Sequence, residues 1–230
     1  MSIISTFGDL YDKTLDPAFA NYTTSSDVFE VHEHDPDPNI STRHLRVEHA
    51  GATFASFNFM LVKGMGDITE KRSSQFEDHD CDGVTIVAHQ GHDGLVFSEL
   101  KSKFSTQKLY EAFRQMTHSF LKMHAMLSLC KDYKVEDVSL HFIAACQCFE
   151  DKDQEDGIYN RLSKEEQEDD TTFAGKFLRR LIEKHDVKVK FGDVTAVWKL
   201  PLNQALADKE VTLSLQVTRN YGDNSLVYTY

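Results

Sequence analysis

Three residues near the middle of the chain, Asp82, Glu99 and Lys101, have the types and spacing for metal-assisted chemistry. They lie at the ends of two apolar segments, "VTIVA" and "LVFSEL", which are typical of two paired strands. Residues i and i+2 of a strand project from the same face, so Glu99 and Lys101 project together while the leucine between them points into the core. Two carboxylates brought together permit an oxygen-ligand site for Mg²⁺ or Mn²⁺. Because a buried charge is costly without a partner, we expect a compensated cluster or a cleft open to water.

The surrounding sequence predicts the elements that position these residues, in the order strand, strand, strand, helix, strand. This order indicates a mixed α/β or α+β sheet domain. The long helix is predicted over Ser105–Cys130, where apolar residues recur at helical spacing and Ser105 or Thr106 is the N-cap. The segment "TTSSDVFEVHEH" is interpreted only as a lead into a polar turn at "DPDPN". The other predicted elements are a short helix in residues 1–14, one or two strands in "RHLRVEHAGATFASFNFMLVKG", a buried strand over Val138–Phe149, a helix over Thr172–His185, and late strands "VKVKF" and "VTLSLQV".

Residues 82–149 resemble the core of the PD-(D/E)xK nuclease superfamily, which has the restriction-endonuclease-like fold. In that family an acidic residue begins the second strand, as Asp82 does in "CDGV", and an acid-x-Lys triplet ends the third, as Glu99–Lys101 does. A long helix and then a buried strand follow in the family's order. Cys81 stands where the family's name has proline, a position that varies among members. The resemblance implies a single nuclease-like domain over residues 1–230, with a mixed β-sheet core flanked by helices.

The resemblance also implies a role for each site residue. Asp82 and Glu99 would hold Mg²⁺ or Mn²⁺, and Lys101 would orient the attacking water and stabilise the phosphorane transition state. Gln107 and Lys108, at the start of the long helix, resemble accessory polar residues that flank the active site in some members. The ordinary surroundings of a helix cap also account for these two residues.

Other polar residues offer weaker alternatives. Glu77, Asp78 and Asp80 are further carboxylates that could supply a second metal ligand, although an acidic loop before a strand is usually just solvated. The chain has 11 histidines, some of them in "VHEHD" and "HDCD", without the paired spacing of a structural zinc site. We therefore expect the histidines to be ordinary polar side chains.

The turn between the two central strands decides whether the site can form. A tight turn at Asp93–Gly94 would place Glu99 about 20 Å from Asp82, at about 3.3 Å per residue. A longer loop over His89–Gly94 would instead bring Lys101 opposite Asp82. The nuclease interpretation requires the longer loop, or a bulge or strand bend with the same effect.

Charge and composition limit the class of protein. A net charge of −12 over 230 residues argues against a protein that coats nucleic acid non-specifically. Ten acidic and three basic residues fall in an insertion at 150–170. We interpret it as a solvated loop, a surface that docks a partner, or an autoinhibitory segment that mimics DNA. No apolar run approaches the roughly 20 residues of a membrane span. The N-terminus lacks signal-peptide features and the four cysteines lack metal-ligand spacing, so we expect a cytoplasmic address and no membrane.

The resemblance implies a metal-dependent endonuclease that acts on nucleic acid, and we expect DNA to be its substrate, although no residue distinguishes DNA from RNA. By analogy with the superfamily, it would be an effector in bacterial antiviral defence that works with a partner protein or as a homo-oligomer. The alternative is a catalytically silent protein on the same fold that docks a partner through its acidic segment. Two groups of basic residues could face phosphate: Lys101, Lys103, Lys108, Arg114 and Lys122, and then Arg179, Arg180, Lys184, Lys188 and Lys190.

Overall fold

An eight-stranded mixed sheet forms the centre of the fold in the computed structural model. The structure describes residues 3–14, 22–32, 44–57, 80–102, 105–147, 177–218 and 225–229, with four isolated residues (153, 156, 157 and 160). The strands are β1 (Tyr22–His32), β2 (His44–Phe57), β3 (Gly83–His89), β4 (His92–Lys101), β5 (Ser139–Cys146), β6 (Asp186–Lys190), β7 (Glu210–Val217) and β8 (Ser225–Thr229). The helices are α1 (Ile3–Thr14), α2 (Thr106–Leu127), α3 (Arg179–Lys184), α4 (Phe191–Thr195) and α5 (Gln204–Asp208), with a 3₁₀ turn at Ala196–Trp198.

The strand directions confirm the predicted order of strands and helix in a mixed α/β fold. β1 to β4 form an antiparallel meander, and α2 then carries the chain across to β5, which is parallel to β4. A parallel pair needs a long crossover connection of this kind. The order of strands across the sheet is β1-β2-β3-β4-β5-β7-β6, and β8 pairs in parallel with the first part of β2.

The sheet is buried on both faces. On one face, Leu109, Phe113, Phe120 and Leu127 of α2 are fully buried against the sheet, which confirms the predicted packing face of this helix. On the opposite face a second apolar cluster includes Leu100, so the leucine of the acid-x-Lys triplet points into the core as expected. Glu99 and Lys101 therefore project from the face that α2 covers.

The turn between β3 and β4 corrects both predicted registers. It is a two-residue turn, Gln90–Gly91, whose φ values of 48° and 82° are positive as a type I′ hairpin turn requires. His89 pairs directly with His92, so neither a tight turn at Asp93–Gly94 nor a longer loop over His89–Gly94 is present. Both registers were wrong because the turn lies three residues before the Asp-Gly signal.

Asp93 does not form the hairpin turn that the Asp93–Gly94 pair suggests, and its side chain instead contacts α1. Its side-chain Oδ2 accepts a hydrogen bond of 2.8 Å from the backbone N–H of Ile3. The first N–H groups of a helix have no partner within the helix and favour a negative charge nearby. Asp93 thus fixes the start of α1 against the hairpin.

β1 is a strand that the sequence pattern does not predict. Among the side chains of β1 that the structure describes, from Thr23 to His32, only Phe29 and Val31 are buried. Most of the others in this edge strand are polar, so the alternation of apolar and polar residues extends over too few positions to predict a strand. A bulge at Asp27, with φ of 66°, interrupts its pairing with β2. The Asp27 carboxylate stabilises this bulge by accepting a 2.6 Å hydrogen bond from the N–H of Gly51.

The remaining predicted elements are present where the structure describes them. Ser105 caps α2 as predicted, and its hydroxyl accepts a hydrogen bond from Lys108 N. The acidic segment 150–170 lies outside the described residues except for four exposed positions, and so do Lys103, residues 148–149 and residues 172–176. None of the helices in the described ranges is both long enough and apolar enough to cross a membrane.

Candidate active site

Asp82 and Glu99 meet at the open end of the β3–β4 hairpin. Gly83 pairs with Ser98, and continuing that register by one residue places Asp82 opposite Glu99. Two hydrogen bonds fix the pair: Asp82 N donates to Glu99 Oε2 over 3.1 Å, and Leu100 N donates to Asp82 Oδ2 over 2.8 Å. The structure therefore brings together the two carboxyl groups that the sequence singles out.

Lys101 joins the same group from the end of β4. Its Nζ donates to Glu99 Oε1 over 2.5 Å and to Gln115 Oε1, on α2, over 2.7 Å. The side chain of Glu99 is 4% exposed and that of Lys101 is 14% exposed, so this ion pair has little contact with solvent. Asp82, Glu99 and Lys101 form one cluster in which Lys101 compensates the charge of Glu99, which is the first of the two arrangements expected for charges at a buried strand end.

The electrostatics of the cluster favour an added cation. Burial raises the pKa of Asp82 well above its ordinary value, and the charge of Glu99 and a hydrogen bond between the two carboxyl groups raise it further. Burial alone would lower the pKa of Lys101, but the Glu99 carboxylate outweighs it, so this pKa is raised. One ammonium thus faces two acids, and the ionised form of Asp82 is the group without full compensation.

The predicted accessory residues do not contact the three central residues directly. Gln107 and Lys108 are exposed on the first turn of α2, and both donate to the side chain of Glu111, over 3.1 and 2.8 Å. Burial works against the charge of Glu111, but the bond from Lys108 prevails and lowers its pKa. Glu111 in turn lies close enough to Lys101 to favour its charged form. Gln107 and Lys108 therefore act on the cluster through Glu111.

A second buried ion pair lies beside the cluster. Lys122 Nζ, on α2, donates to Asp80 Oδ1 over 2.8 Å, and the two side chains are 5% and 4% exposed. The hydroxyl of Ser119 donates to the same Asp80 oxygen over 3.4 Å and accepts from the N–H of Cys81 over 3.0 Å. This arrangement anchors the chain immediately before Asp82 to α2.

The buried pair corrects two expectations. Lys122 is not available to face a phosphate, because it is buried and bonded to Asp80. Asp80 is a poor second metal ligand for the same reason. The other alternative carboxylates, Glu77 and Asp78, lie outside the described residues.

The second basic group is largely neutralised by acidic neighbours. Arg179 pairs with Glu183 over 3.3 Å within α3. Lys188 pairs with Glu210 over 3.3 Å, and Lys190 pairs with Asp208 over 2.7 Å; both lysines are exposed. Such exposed pairs contribute little stability, but they reduce the positive potential that this part of the surface can offer to phosphate.

Sequence reasoning missed Gln115 and Glu111 as parts of the site. A signal was present in the spacing: Gln107, Glu111 and Gln115 follow one another at four-residue intervals, which puts them on one face of a helix. That face starts beside the acid-x-Lys triplet, because only a short connection separates β4 from α2. The Asp80–Lys122 pair gave no comparable signal, since 42 residues separate the partners.

Comparison with known proteins assigns no family to this chain. No family model matches it, and no match was found among curated proteins or solved structures. We therefore infer function from the chemistry of Asp82, Glu99 and Lys101 and of the groups around them.

Proposed function

We propose that this protein is a metal-dependent nuclease that hydrolyses phosphodiester bonds of nucleic acid, with DNA as the preferred substrate. The observation that carries the proposal is the convergence of Asp82 and Glu99 with Lys101 at one end of the β3–β4 hairpin. Strongly perturbed titrating groups with a specific charged partner cluster at functional sites. The raised pKa of Asp82 is such a perturbation, and burial is its main cause.

The order of elements supports a restriction-endonuclease-like fold of the PD-(D/E)xK kind. α1 is followed by β2, β3 and β4, then by α2 and a parallel β5, once the edge strand β1 is set aside. Asp82 lies immediately before β3, and the Glu99–Lys101 triplet ends β4. These are the positions in which the resemblance requires the acidic residue and the acid-x-Lys triplet.

The donor set fits Mg²⁺ or Mn²⁺. Asp82 and Glu99 supply carboxylate oxygens, which both of these cations accept, and no cysteine or histidine is needed. When bound, such a cation lowers the pKa of a water and offsets the negative charge that builds up on the phosphate. Asp82 and Glu99 would hold it, because a divalent charge relieves the repulsion between two carboxylates that share one lysine.

Lys101 would supply the positive charge that remains with the protein during hydrolysis. An ammonium has three N–H donors, and Glu99 and Gln115 account for two of them. The bond to Gln115 fixes the direction of the side chain, so its charge is preorganised for an incoming water or phosphate oxygen. Gln115 is a positioning residue in this scheme.

The surroundings of the site favour a targeted nuclease over one that binds nucleic acid broadly. The net charge is −12, and within the described ranges several basic side chains are already paired with acids. Long-range attraction to phosphate is therefore weak. We infer that a partner protein or a second copy of the chain delivers the substrate, as in an effector of antiviral defence.

The test combines a cleavage assay with calorimetric metal titration. Purified protein is incubated with plasmid, linear and single-stranded DNA and with RNA, in Mg²⁺, in Mn²⁺ and in EDTA. Lys101→Ala should abolish cleavage and retain metal binding, because lysine is not a ligand. Glu99→Ala and Asp82→Asn should lose both properties, since each removes a charged oxygen ligand.

Lys134→Ala is the matched control, because Lys134 is an exposed lysine outside the site. It should cut at the wild-type rate. Cleavage by Lys101→Ala at the wild-type rate would refute the assignment. Carboxylate-dependent metal binding without cleavage of any substrate would instead favour a catalytically silent interaction protein.

A further inference from the structure

The ends of β1 and β2 carry a second group of potential metal ligands that shares no residue with the proposed nuclease site. His32 and His44 lie directly opposite each other in the antiparallel pair, and Glu30 lies two residues before His32 on the same face of β1. Residues directly opposite in such a pair have Cβ atoms about 4.5–5.5 Å apart. The register therefore brings together two imidazoles that 11 intervening residues separate along the chain.

The three side chains lie close together. The carboxylate Oε2 of Glu30 is 3.7 Å from His32 Nε2 and 3.4 Å from His44 Nε2. The two rings are nearly parallel, with centroids 4.7 Å apart. One ligand atom from each of the three residues lies within 4.8 Å of the others. Bonds of about 2.0–2.2 Å in a tetrahedral zinc site hold ligand atoms about 3.3–3.6 Å apart. One imidazole would have to turn out of the parallel stack so that both Nε2 lone pairs point at the ion.

The hydrogen bonding of the His44 ring is an independent observation. Its Nε2 is shielded from solvent, and within the part of the chain that the structure describes it makes no hydrogen bond. Buried polar atoms nearly always have a partner, so this nitrogen needs one. Because this nitrogen lies 3.4 Å from the Glu30 carboxylate and beside the stacked His32 ring, a cation between the three groups would supply that partner.

We propose that Glu30, His32 and His44 form a binding site for a Zn²⁺-class transition-metal ion. Two imidazole nitrogens and a carboxylate suit Zn²⁺, Co²⁺ or Ni²⁺ and are poorly suited to Mg²⁺, which takes oxygen ligands. Three protein ligands leave a fourth position for water. The ion would join the ends of β1 and β2, whose inner face carries Val31 of the apolar core.

The positive charge of Arg46 limits the affinity of this site for a cation. Its Nη1 lies 3.8 Å from Glu30 Oε1, whereas its Nε bonds to Glu48 Oε1 over 2.7 Å. A nearby guanidinium opposes the binding of a cation. Arg46→Gln should therefore strengthen metal binding, a direction that loss of a merely structural contact would not produce.

The experiment titrates Co²⁺ into the Asp82→Asn variant, which lacks a carboxylate of the proposed nuclease site. The visible absorption of bound Co²⁺ and calorimetry should both report one equivalent, displaced by Zn²⁺ and unaffected by Mg²⁺. In the same background, His32→Gln, His44→Gln and Glu30→Gln should each weaken binding more than about tenfold, the lower end of the effect of losing even an outer partner of a metal.

Glu48→Gln and His92→Gln are the controls. Glu48 is 44% exposed and Glu30 is 42% exposed, and both carboxylates pair with Arg46. Glu48→Gln and Glu30→Gln therefore differ mainly in the distance of the carboxylate from the imidazoles. His92→Gln should leave binding unchanged. Glu48→Gln frees Arg46 to turn toward Glu30, so it should weaken binding slightly and far less than His32→Gln does. The side chain of His32 is 64% exposed, so His32→Gln should fold normally and test the site even if His44→Gln does not.

Either of two results would overturn the proposal. One is the absence of saturable Co²⁺ binding to the folded Asp82→Asn protein. The other is binding that Glu48→Gln or His92→Gln weakens as much as His32→Gln does. Neither result would affect the nuclease proposal, whose test uses Mg²⁺ and Mn²⁺ and the residues at the β3–β4 hairpin.

Discussion

Replacing Lys122 with methionine should destabilise the protein strongly, because it leaves Asp80 buried without its cation. The two side chains are 5% and 4% exposed and their charged atoms are 2.8 Å apart. At that distance two unit charges attract by about 6 kcal/mol for an effective dielectric constant of about 20. Desolvation of both groups offsets much of this attraction in the wild-type protein. Removing one partner loses the attraction and retains the penalty, which costs about 3–5 kcal/mol.

Lys108→Met is a control on the same helix. Lys108 pairs with Glu111 at the same distance of 2.8 Å, but its side chain is 47% exposed and that of Glu111 is 24% exposed. Exposed pairs contribute at most about 1 kcal/mol, because water and salt screen them. The two substitutions thus compare ion pairs of equal length that differ in burial.

Urea unfolding, followed by circular dichroism, measures both free energies of unfolding. For a chain of this size, about 2–4 °C of melting temperature corresponds to 1 kcal/mol, so Lys122→Met should melt about 6–20 °C below wild type. The double variant Lys122→Met with Asp80→Leu should recover most of the loss, because it leaves no buried charge without a partner. If Lys122→Met unfolds no more easily than Lys108→Met, the reasoning is refuted. If Lys122→Met does not fold, failure of the double variant to restore folding refutes it equally.

Substitutions at three further positions test the site and its support. Asp82→Asn should stabilise the metal-free protein, and the stabilisation should increase as pH rises. Burial and Glu99 raise the pKa of Asp82, so the folded wild type keeps a proton that the unfolded chain has lost. Urea unfolding across pH measures this, and a difference independent of pH would contradict it. Gly83→Ala should cost about 1–3 kcal/mol, since its Cβ would lie 2.7 Å from Val31 Cγ2, and thermal unfolding measures the loss. Gln115→Ala should slow cleavage and leave calorimetric metal binding unchanged, whereas Gln115→Glu should restore part of the rate by replacing the acceptor.

Patterns that are local in the chain predicted much of the fold. The helical spacing of Leu109, Phe113, Phe120 and Leu127 predicted the buried face of α2, and all four are fully buried. The sequence limited the cap of α2 to Ser105 or Thr106, and Ser105 accepts the capping hydrogen bond. These features depend on neighbours within a few residues, which the sequence displays directly.

Features that depend on pairing across the sheet were harder to predict. The Asp82–Glu99 contact depends on a register that an Asp-Gly signal obscured, because Asp93 is used to start α1. The partnership of His32 and His44 is invisible in their spacing, since it exists only across two strands. Tertiary contacts of this kind override local propensity.

The position of the Gln90–Gly91 turn has a consequence for the order of folding. A hairpin forms in about 1–10 μs, and this one has its turn at one end and the Asp82–Glu99 pair at the other. We predict that pairing grows from the turn and brings the buried Asp82 and Glu99 carboxyl groups together last, after the rate-limiting barrier, so that the cost of burying Asp82 falls on the native state. Asp82→Asn should then slow unfolding and leave the folding rate nearly unchanged, which a denaturant series of both rates would reveal. The site would thus act on the lifetime of the native state, and a bound cation would lengthen that lifetime in the same way.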